Sequence, residues 1–103
     1  AAGLELDRYD QNLGSPKNCY VLATSENHSD LYLGVTEEIG VNMPNQSGSQ
    51  NPNVKADLIY FQKKSGSKNF STGSIAWSGS LSFNNYDNNI SKITSNVLNN
   101  FIK

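Results

Sequence analysis

The sequence has little of the residues on which disulfides, catalysis and nucleic-acid binding commonly depend. It has one cysteine, Cys19, so no internal disulfide forms, and one histidine, His28, in the polar stretch ENHSD. Eight basic and nine acidic residues leave a net charge of −1, with no basic patch for nucleic acid. No apolar run reaches the roughly 20 residues that span a membrane. We therefore expect neither a nucleic-acid partner nor a direct membrane span.

Groups that could perform catalysis or hold a metal are equally sparse. Glu37 and Glu38 are adjacent, so on a strand they would point to opposite faces. There is no phosphate-binding glycine loop, no His-Glu-x-x-His and no Cys-x-x-Cys. The one dense cluster of oxygen ligands is 84–89, NNYDNN, with the single carboxylate Asp87, and we interpret it as a turn. The sequence thus predicts no catalytic residue, no metal, no cofactor and a protein that is not an enzyme.

What the sequence does contain is strand patterns. NCYVLATS (18–25) is apolar enough for a buried strand, LYLGV (31–35) reads as a returning strand, and VKADLIYFQ (54–62) is apolar on both faces. In 73–83, GSIAWSGSLSF, the large apolar residues occupy odd positions and serines occupy even ones. This alternation predicts a strand over 74–83 that pairs with 54–62, with Trp77 in the core.

The remaining segments complete a one-domain prediction. Residues 42–53, NMPNQSGSQNPN, have the composition of a polar loop. In the tail, apolar residues at 90, 93, 97, 98 and 101 follow a helical spacing, which favours a short helix over a last strand. We predict a single domain over 1–103 that is mainly β: a small antiparallel sheet with a short C-terminal helix.

The start of the chain, AAGLEL, bears on localisation. It has no methionine, and small residues at position 1 are what signal peptidase leaves behind. We therefore expect an exported protein.

Two stretches resemble the headgroup of a type IV pilin. Residues 19–41, CYVLATSENHSDLYLGVTEEIGV, are similar to the headgroup sheet, in which a strand, a polar turn and a returning strand pack on a long N-terminal helix. GSIAWSGSL is similar to another headgroup strand. The chain shows no hydrophobic N-terminal helix and no C-terminal disulfide. It therefore resembles the globular subunit of a split type IV pilin, the geopilin domain 2 type of Geobacter-like bacteria.

That resemblance implies a non-catalytic structural subunit of a type IV pilus or pseudopilus-like filament, in the periplasm or outside the cell. Its partners would be a separate short hydrophobic helical pilin and neighbouring copies in the filament. Leu4, Leu6 and Tyr9 are the expected partner contacts, because that end lies where the missing helix would join.

Two alternatives stay open. One is a self-sufficient secreted β-sandwich, a carbohydrate-binding or adhesin module whose aromatic residues and 42–53 loop contact a glycan. The other is a periplasmic lipoprotein-type accessory domain.

Overall fold

A computed structural model describes residues 1–35, 41 and 44–103. Three antiparallel strands form one sheet in the order β1-β2-β3, and two helices follow them in the chain. The predicted fold class, a small antiparallel sheet with a short C-terminal helix, is confirmed. The elements are β1 (Cys19–Ser25), β2 (Ala56–Gln62), β3 (Lys68–Ser71), α1 (Ala76–Ser80) and α2 (Asn89–Phe101), with short 3-10 turns at Gln11–Leu13 and Phe83–Tyr86.

The sheet is centred on β2. The β1–β2 register runs from Cys19 opposite Phe61 to Ser25 opposite Ala56, and it shifts once between Val21 and Ala23. That shift is a β-bulge, which leaves one residue of β1 without a partner. β2 and β3 are joined by the tight polar turn 63–67. β2 is paired on both edges, and its first three residues, 56–58, are buried.

The core is small and lies between β2 and the two helices. Its buried apolar side chains include Leu58 and Trp77, which is 9% exposed. The Trp77 ring meets Phe70 edge to face, with centroids 6.2 Å apart, and its Nε1–H donates to Thr94 Oγ1 at 3.0 Å. The prediction that Trp77 is a core residue is confirmed.

The predicted strand over 74–83 is wrong, and so is its pairing with 54–62. Residues 76–80 form α1, and β2 pairs with 68–71 instead. The serines explain the difference: Ser78 Oγ donates to Ile75 O at 3.2 Å and Ser80 Oγ to Ala76 O at 2.9 Å, as helical serines do. Because the segment is helical, Ile75 is 59% exposed and does not share a face with buried Trp77.

α2 confirms the predicted C-terminal helix. Asn88 caps it, since its side-chain oxygen accepts the Ser91 N–H at 2.9 Å. Ile90, Ile93 and Val97 are half-buried on one side. The last turn is less covered: Leu98, Phe101 and Ile102 are exposed.

The asparagine-rich segment before α2 is a turn, as predicted. Asn84, Asn85 and Tyr86 have φ of 51°, 54° and 65°, the left-handed region, which Asn tolerates and Tyr rarely enters. The amide of Asn88 holds this turn by donating to Leu81 O at 3.0 Å and to Phe83 O at 2.7 Å.

The segment between β1 and β2 is only partly as expected. The predicted strand over 31–35 is reduced to one isolated bridge, Leu33 to Ser47. Residues 44–53 form turns, as the loop prediction requires, whereas 42–43 lie outside the described residues. Glu37 and Glu38 also lie outside them.

The molecule is a flat slab with a large surface. Its extents are 47 × 38 × 17 Å and its radius of gyration is 15.3 Å, against about 13 Å for a compact domain of this length. Its accessible area of 7291 Å² exceeds by about 1,600 Å² the value of about 5,700 Å² for a compact 11.3 kDa monomer. Among the described helices, none is long and apolar enough to cross a bilayer.

Candidate functional site

Asp57, in the middle of the sheet, is the wholly buried acid of the described chain. Both of its oxygens accept short hydrogen bonds: Oδ2 from the Tyr9 N–H at 2.7 Å and Oδ1 from Thr24 Oγ1 at 2.6 Å. Lys55 Nζ lies 3.5 Å from Oδ2 and supplies the opposite charge. A buried carboxylate is stable only with such partners. Asp57 therefore ties the N-terminal segment and β1 to β2.

Backbone contacts extend this attachment of the N-terminal segment. The Asp57 N–H donates to Asp7 O at 3.0 Å, and the Asp7 N–H donates to Gly73 O at 2.8 Å. Gly73 has φ of +66°, and a Cβ there would lie 2.5 Å from Asp57 O. Only glycine fits this close approach.

Ser74 fixes the first residues of the chain. Its Oγ donates to Gly3 O at 2.8 Å and accepts the Gly3 N–H at 2.9 Å, and Ser74 itself is buried. Because the Ser74 hydroxyl donates one hydrogen bond and accepts another, it positions the backbone and is not free to attack a substrate.

The N-terminal segment forms one wall of an open groove of about 380 Å³. Its walls combine aliphatic side chains with polar and charged ones, which include the ion pair between Arg8 and Asp10, 3.3 Å between Nη2 and Oδ2. The aliphatic residues that line the groove are Leu4, Leu6, Leu13, Leu33, Val35 and Val54.

At the mouth of the groove the backbone is strained at Leu4. Its φ is +66°, which a large side chain rarely adopts, and the Glu5 N–H closes the turn on Gly3 O at 2.8 Å. The Tyr32 hydroxyl accepts the Leu4 N–H at 3.2 Å. These contacts hold the Leu4 side chain outward, 87% exposed.

The structure brings two of the three predicted interface residues together. Leu4 and Leu6 both line the groove. Tyr9 is half-buried, and its hydroxyl donates to Pro16 O at 2.7 Å while its backbone binds Asp57. The assignment of Leu4, Leu6 and Tyr9 to a partner contact stays a prediction.

A second polar cluster lies just beyond β1. His28 Nε2 is 3.1 Å from both Ser25 Oγ and Ser25 O, and its ring meets Tyr32 edge to face at 5.2 Å. Because one ring nitrogen faces both oxygens of one residue, the histidine closes the turn after β1. Cys19 has no histidine among its contacts given by the structure, and burial raises the pKa of its thiol, which lowers its reactivity.

Asp30 joins the turn after β1 to the loop before β2. Its carboxylate accepts hydrogen bonds from the side chains of Ser47 and Ser49 and from the Ser49 N–H, the last at 3.1 Å. These bonds hold the pKa of the Asp30 carboxyl below its ordinary value. Within 1–35, 41 and 44–103, no three His, Cys, Asp or Glu side chains group as metal ligands would.

The sequence interpretation missed Asp57, Ser74 and Ser25. Asp57 carried a usable signal, since it is an acid inside the apolar strand pattern of 54–62. The two serines carried none, because both have ordinary surroundings in the sequence and gain their partners only in the fold.

Comparison with known proteins gives a consistent result. The family model described as N,N-dimethylformamidase beta subunit-like, C-terminal, matches residues 1–88. The N,N-dimethylformamidase beta subunit of Alcaligenes sp is 50% identical over all 103 residues, and that of Paracoccus aminophilus is 48% identical over the same length. The chain spans 14% of the length of each of these relatives.

These matches correct the functional predictions. The resemblance to a split type IV pilin is wrong, because relatives half-identical along the whole chain are enzyme subunits. The filament-subunit function, the adhesin or carbohydrate-binding alternative and the helical pilin partner are wrong for the same reason. The prediction that the protein is not an enzyme is also wrong. The pilin likeness rested on polar loops and apolar strands, which many β-rich domains share.

Proposed function

The chain belongs to the family described as N,N-dimethylformamidase beta subunit-like, C-terminal, and we propose that it forms part of the beta subunit of an enzyme that hydrolyses N,N-dimethylformamide or a close N-alkylformamide. The observation that carries this proposal is the identity of 50% and 48% to two such beta subunits over every residue of the chain.

The proposed reaction is hydrolysis of an amide. The oxygen of a water molecule bonds to the formyl carbon, and the carbon–nitrogen bond breaks. For N,N-dimethylformamide the nitrogen leaves with a proton as dimethylamine, and the formyl group becomes formate.

Within the beta subunit, the chain's part is to pack against the rest of the protein. The exposed area in excess of a compact monomer, about 1,600 Å², is about twice what one partner buries in a standard interface. Much of the exposed surface is apolar, including Leu4, Leu31 and Ile102, each more than 80% exposed. Surface of this kind marks contact sites. The other subunits of the enzyme are the partners we propose in place of a pilin.

A chimeric beta subunit tests this proposal. This chain replaces the matching 103 residues of the Paracoccus aminophilus beta subunit, which is expressed with the remaining subunits of its own enzyme. We expect the chimera to release dimethylamine from N,N-dimethylformamide at a rate within about tenfold of the unaltered enzyme, because half of the exchanged residues are identical.

Two controls accompany the chimera. An Asp57→Leu chimera should lose activity together with folding, since it leaves the Tyr9 N–H and Lys55 without their buried partner. An Asp87→Asn chimera should keep both, because Asp87 is exposed. A chimera that melts like the unaltered subunit but releases no dimethylamine would refute the proposal.

A further inference from the structure

The free edge of β1 is chemically unlike the edge of a self-contained sheet. β1 pairs with β2 on one side, and among the described residues no strand pairs with its other side. Its sequence, CYVLATS, contains no charged residue and no proline. Tyr20, Val21 and Leu22 are 69%, 45% and 54% exposed. Natural edge strands are usually protected by charge, proline or short length, because an apolar edge recruits other strands.

The opposite edge of the same sheet, β3, has features that protect an edge strand from pairing with another strand. β3 is four residues long, begins with Lys68 and is otherwise mostly polar. The Lys68 amine also donates to Asn100 O, so part of α2 lies beside this edge. The bulge at Leu22 is the single protective device in β1. The β3 edge is therefore short and carries a lysine, whereas the β1 edge is seven residues long and carries no charge.

Exposure on both faces sets β1 apart as well. Tyr20 lies opposite Tyr60 and Val21 opposite Ile59, so the two residues point to opposite faces of the sheet. A strand that is apolar on both faces is typical of a sheet that is covered on both faces. The commonest sheets have about four to six strands, whereas this one has three among the described residues.

We propose that β1 is an interior strand of a larger sheet and that an extended, apolar segment from the remainder of the same beta subunit pairs with its free edge. This inference rests on the proposed function, because the relatives extend far beyond the matched region, which is 14% of their length. Strand addition supplies main-chain hydrogen bonds to the free edge and apolar side chains to Tyr20 and Leu22.

Hydrogen exchange in the chimeric beta subunit tests the inference. Alternate amides of β1 point away from β2 and exchange quickly unless another strand accepts their hydrogen bonds. We expect the outward amides of 19–25 to exchange at least about tenfold more slowly than the same residues in an unstructured peptide. Leu22→Lys should abolish this protection, whereas Asn69→Lys on β3, the matched control, should leave it unchanged.

The outcomes separate this inference from the proposed function. An active chimera whose outward β1 amides exchange as fast as those of an unstructured peptide refutes the inference and leaves the proposed function standing. An inactive chimera with a protected β1 supports the inference and contradicts the function. Protection that disappears when beta subunits are diluted to monomers would assign the strand to a second copy and refute the proposal. If the chimera does not fold, hydrogen exchange is measured on the unaltered Paracoccus aminophilus beta subunit. Slow exchange of its matching outward amides supports the inference, and fast exchange refutes it.

Discussion

At the scale of single residues, the fold depends most on one buried carboxylate, whose two oxygens both accept hydrogen bonds. Asp57 joins β2 to the N-terminal segment through Tyr9 and to β1 through Thr24, and it forms an ion pair with its near neighbour Lys55. Hydrogen bonds to a charged group contribute about 1.5–3 kcal/mol each. Asp57 accepts two of them, whereas Lys55, with 28% of its side chain exposed, keeps access to water. Asp57 is therefore the residue at which small chemical changes should have the largest effect.

We predict that Asp57→Leu lowers the free energy of unfolding by about 3–5 kcal/mol, because both hydrogen bonds to the carboxylate are lost. Asp57→Asn should cost less, about 1–2 kcal/mol, because its oxygen still accepts the Tyr9 N–H and the Thr24 hydroxyl can accept from its amide. Urea unfolding of the dilute chain measures both. Asp87→Asn makes the same change at an exposed site and should shift the free energy by less than about 0.5 kcal/mol. Equal losses of unfolding free energy at Asp57 and Asp87 would contradict the assignment of Asp57 as the residue on which stability depends most.

Asp30 gives a pH dependence at the residue scale. Its pKa is lower in the folded chain than in the unfolded one, so its contribution is present above the unfolded pKa and is lost as pH falls through the folded pKa. We predict that Ser49→Ala raises the pKa of Asp30 toward its ordinary value, measured by NMR titration of the carboxyl carbon. Ser95→Ala, on the exposed side of α2, should leave it unchanged. An ordinary pKa in the unaltered chain would exclude these hydrogen bonds.

At the scale of elements, one side chain links the left-handed turn to α2. Asn88 accepts the Ser91 N–H as the helix cap and donates to two carbonyl groups, those of Leu81 and Phe83, in the turn. The turn contains three successive residues with positive φ, which are unfavourable without such support. The position of α2 on the sheet therefore depends on a residue just outside the helix.

We predict that Asn88→Ala and Asn88→Asp separate these two roles. The aspartate keeps the cap but cannot donate to the turn, so it should lose about half of the roughly 2 kcal/mol that alanine loses. Asn89→Ala, at an exposed neighbour, is the control. Urea unfolding followed by tryptophan fluorescence gives the three values. An aspartate variant as stable as the unaltered chain would show that the two hydrogen bonds to the turn contribute nothing.

Elements with long, unambiguous patterns were predictable from the sequence. β2 and α2 have apolar runs or helical spacing along most of their length, and β1 agrees within one residue with the predicted 18–25. The 73–83 segment was not predictable by period alone, because serine hydroxyls satisfied within a helix look the same in sequence as serines on a strand face. β3 was missed because four residues in a polar stretch carry no period.

The candidate sites were less predictable than the elements. An acid in an apolar strand suggests a buried ion, so Asp57 could have been found. Its partners Tyr9 and Thr24 could not, because they reach it through the return of the N-terminal segment and the register of β1. The likeness to enzyme subunits could not be predicted for a different reason: the described residues contain no recognisable set of reacting groups. The predicted export stays a prediction.

At the scale of the whole molecule, the flat shape has a consequence for the isolated chain. An excess of exposed area, much of it apolar, favours association between copies in water. If copies of the chain associate mainly through β1, a charge placed on that edge should reduce the association more than a charge placed elsewhere on the apolar surface.

We predict that the isolated chain self-associates and that Leu22→Lys reduces this more than Leu31→Lys does. Leu31 is the more exposed of the two, at 91% against 54%, but it lies outside the strands. Sedimentation velocity over a range of concentrations measures the association. A larger effect at Leu31 would show that general apolar exposure, and not the strand edge, drives the self-association.

The position of Trp77 gives this chain an optical reporter of its own. It is the single tryptophan, it is buried against Phe70, and its indole N–H is bonded to α2 through Thr94. Emission from the indole should therefore be blue-shifted while α2 rests on the sheet and should move to the red when the helix detaches. Loosening of this one contact can be followed in real time without any label.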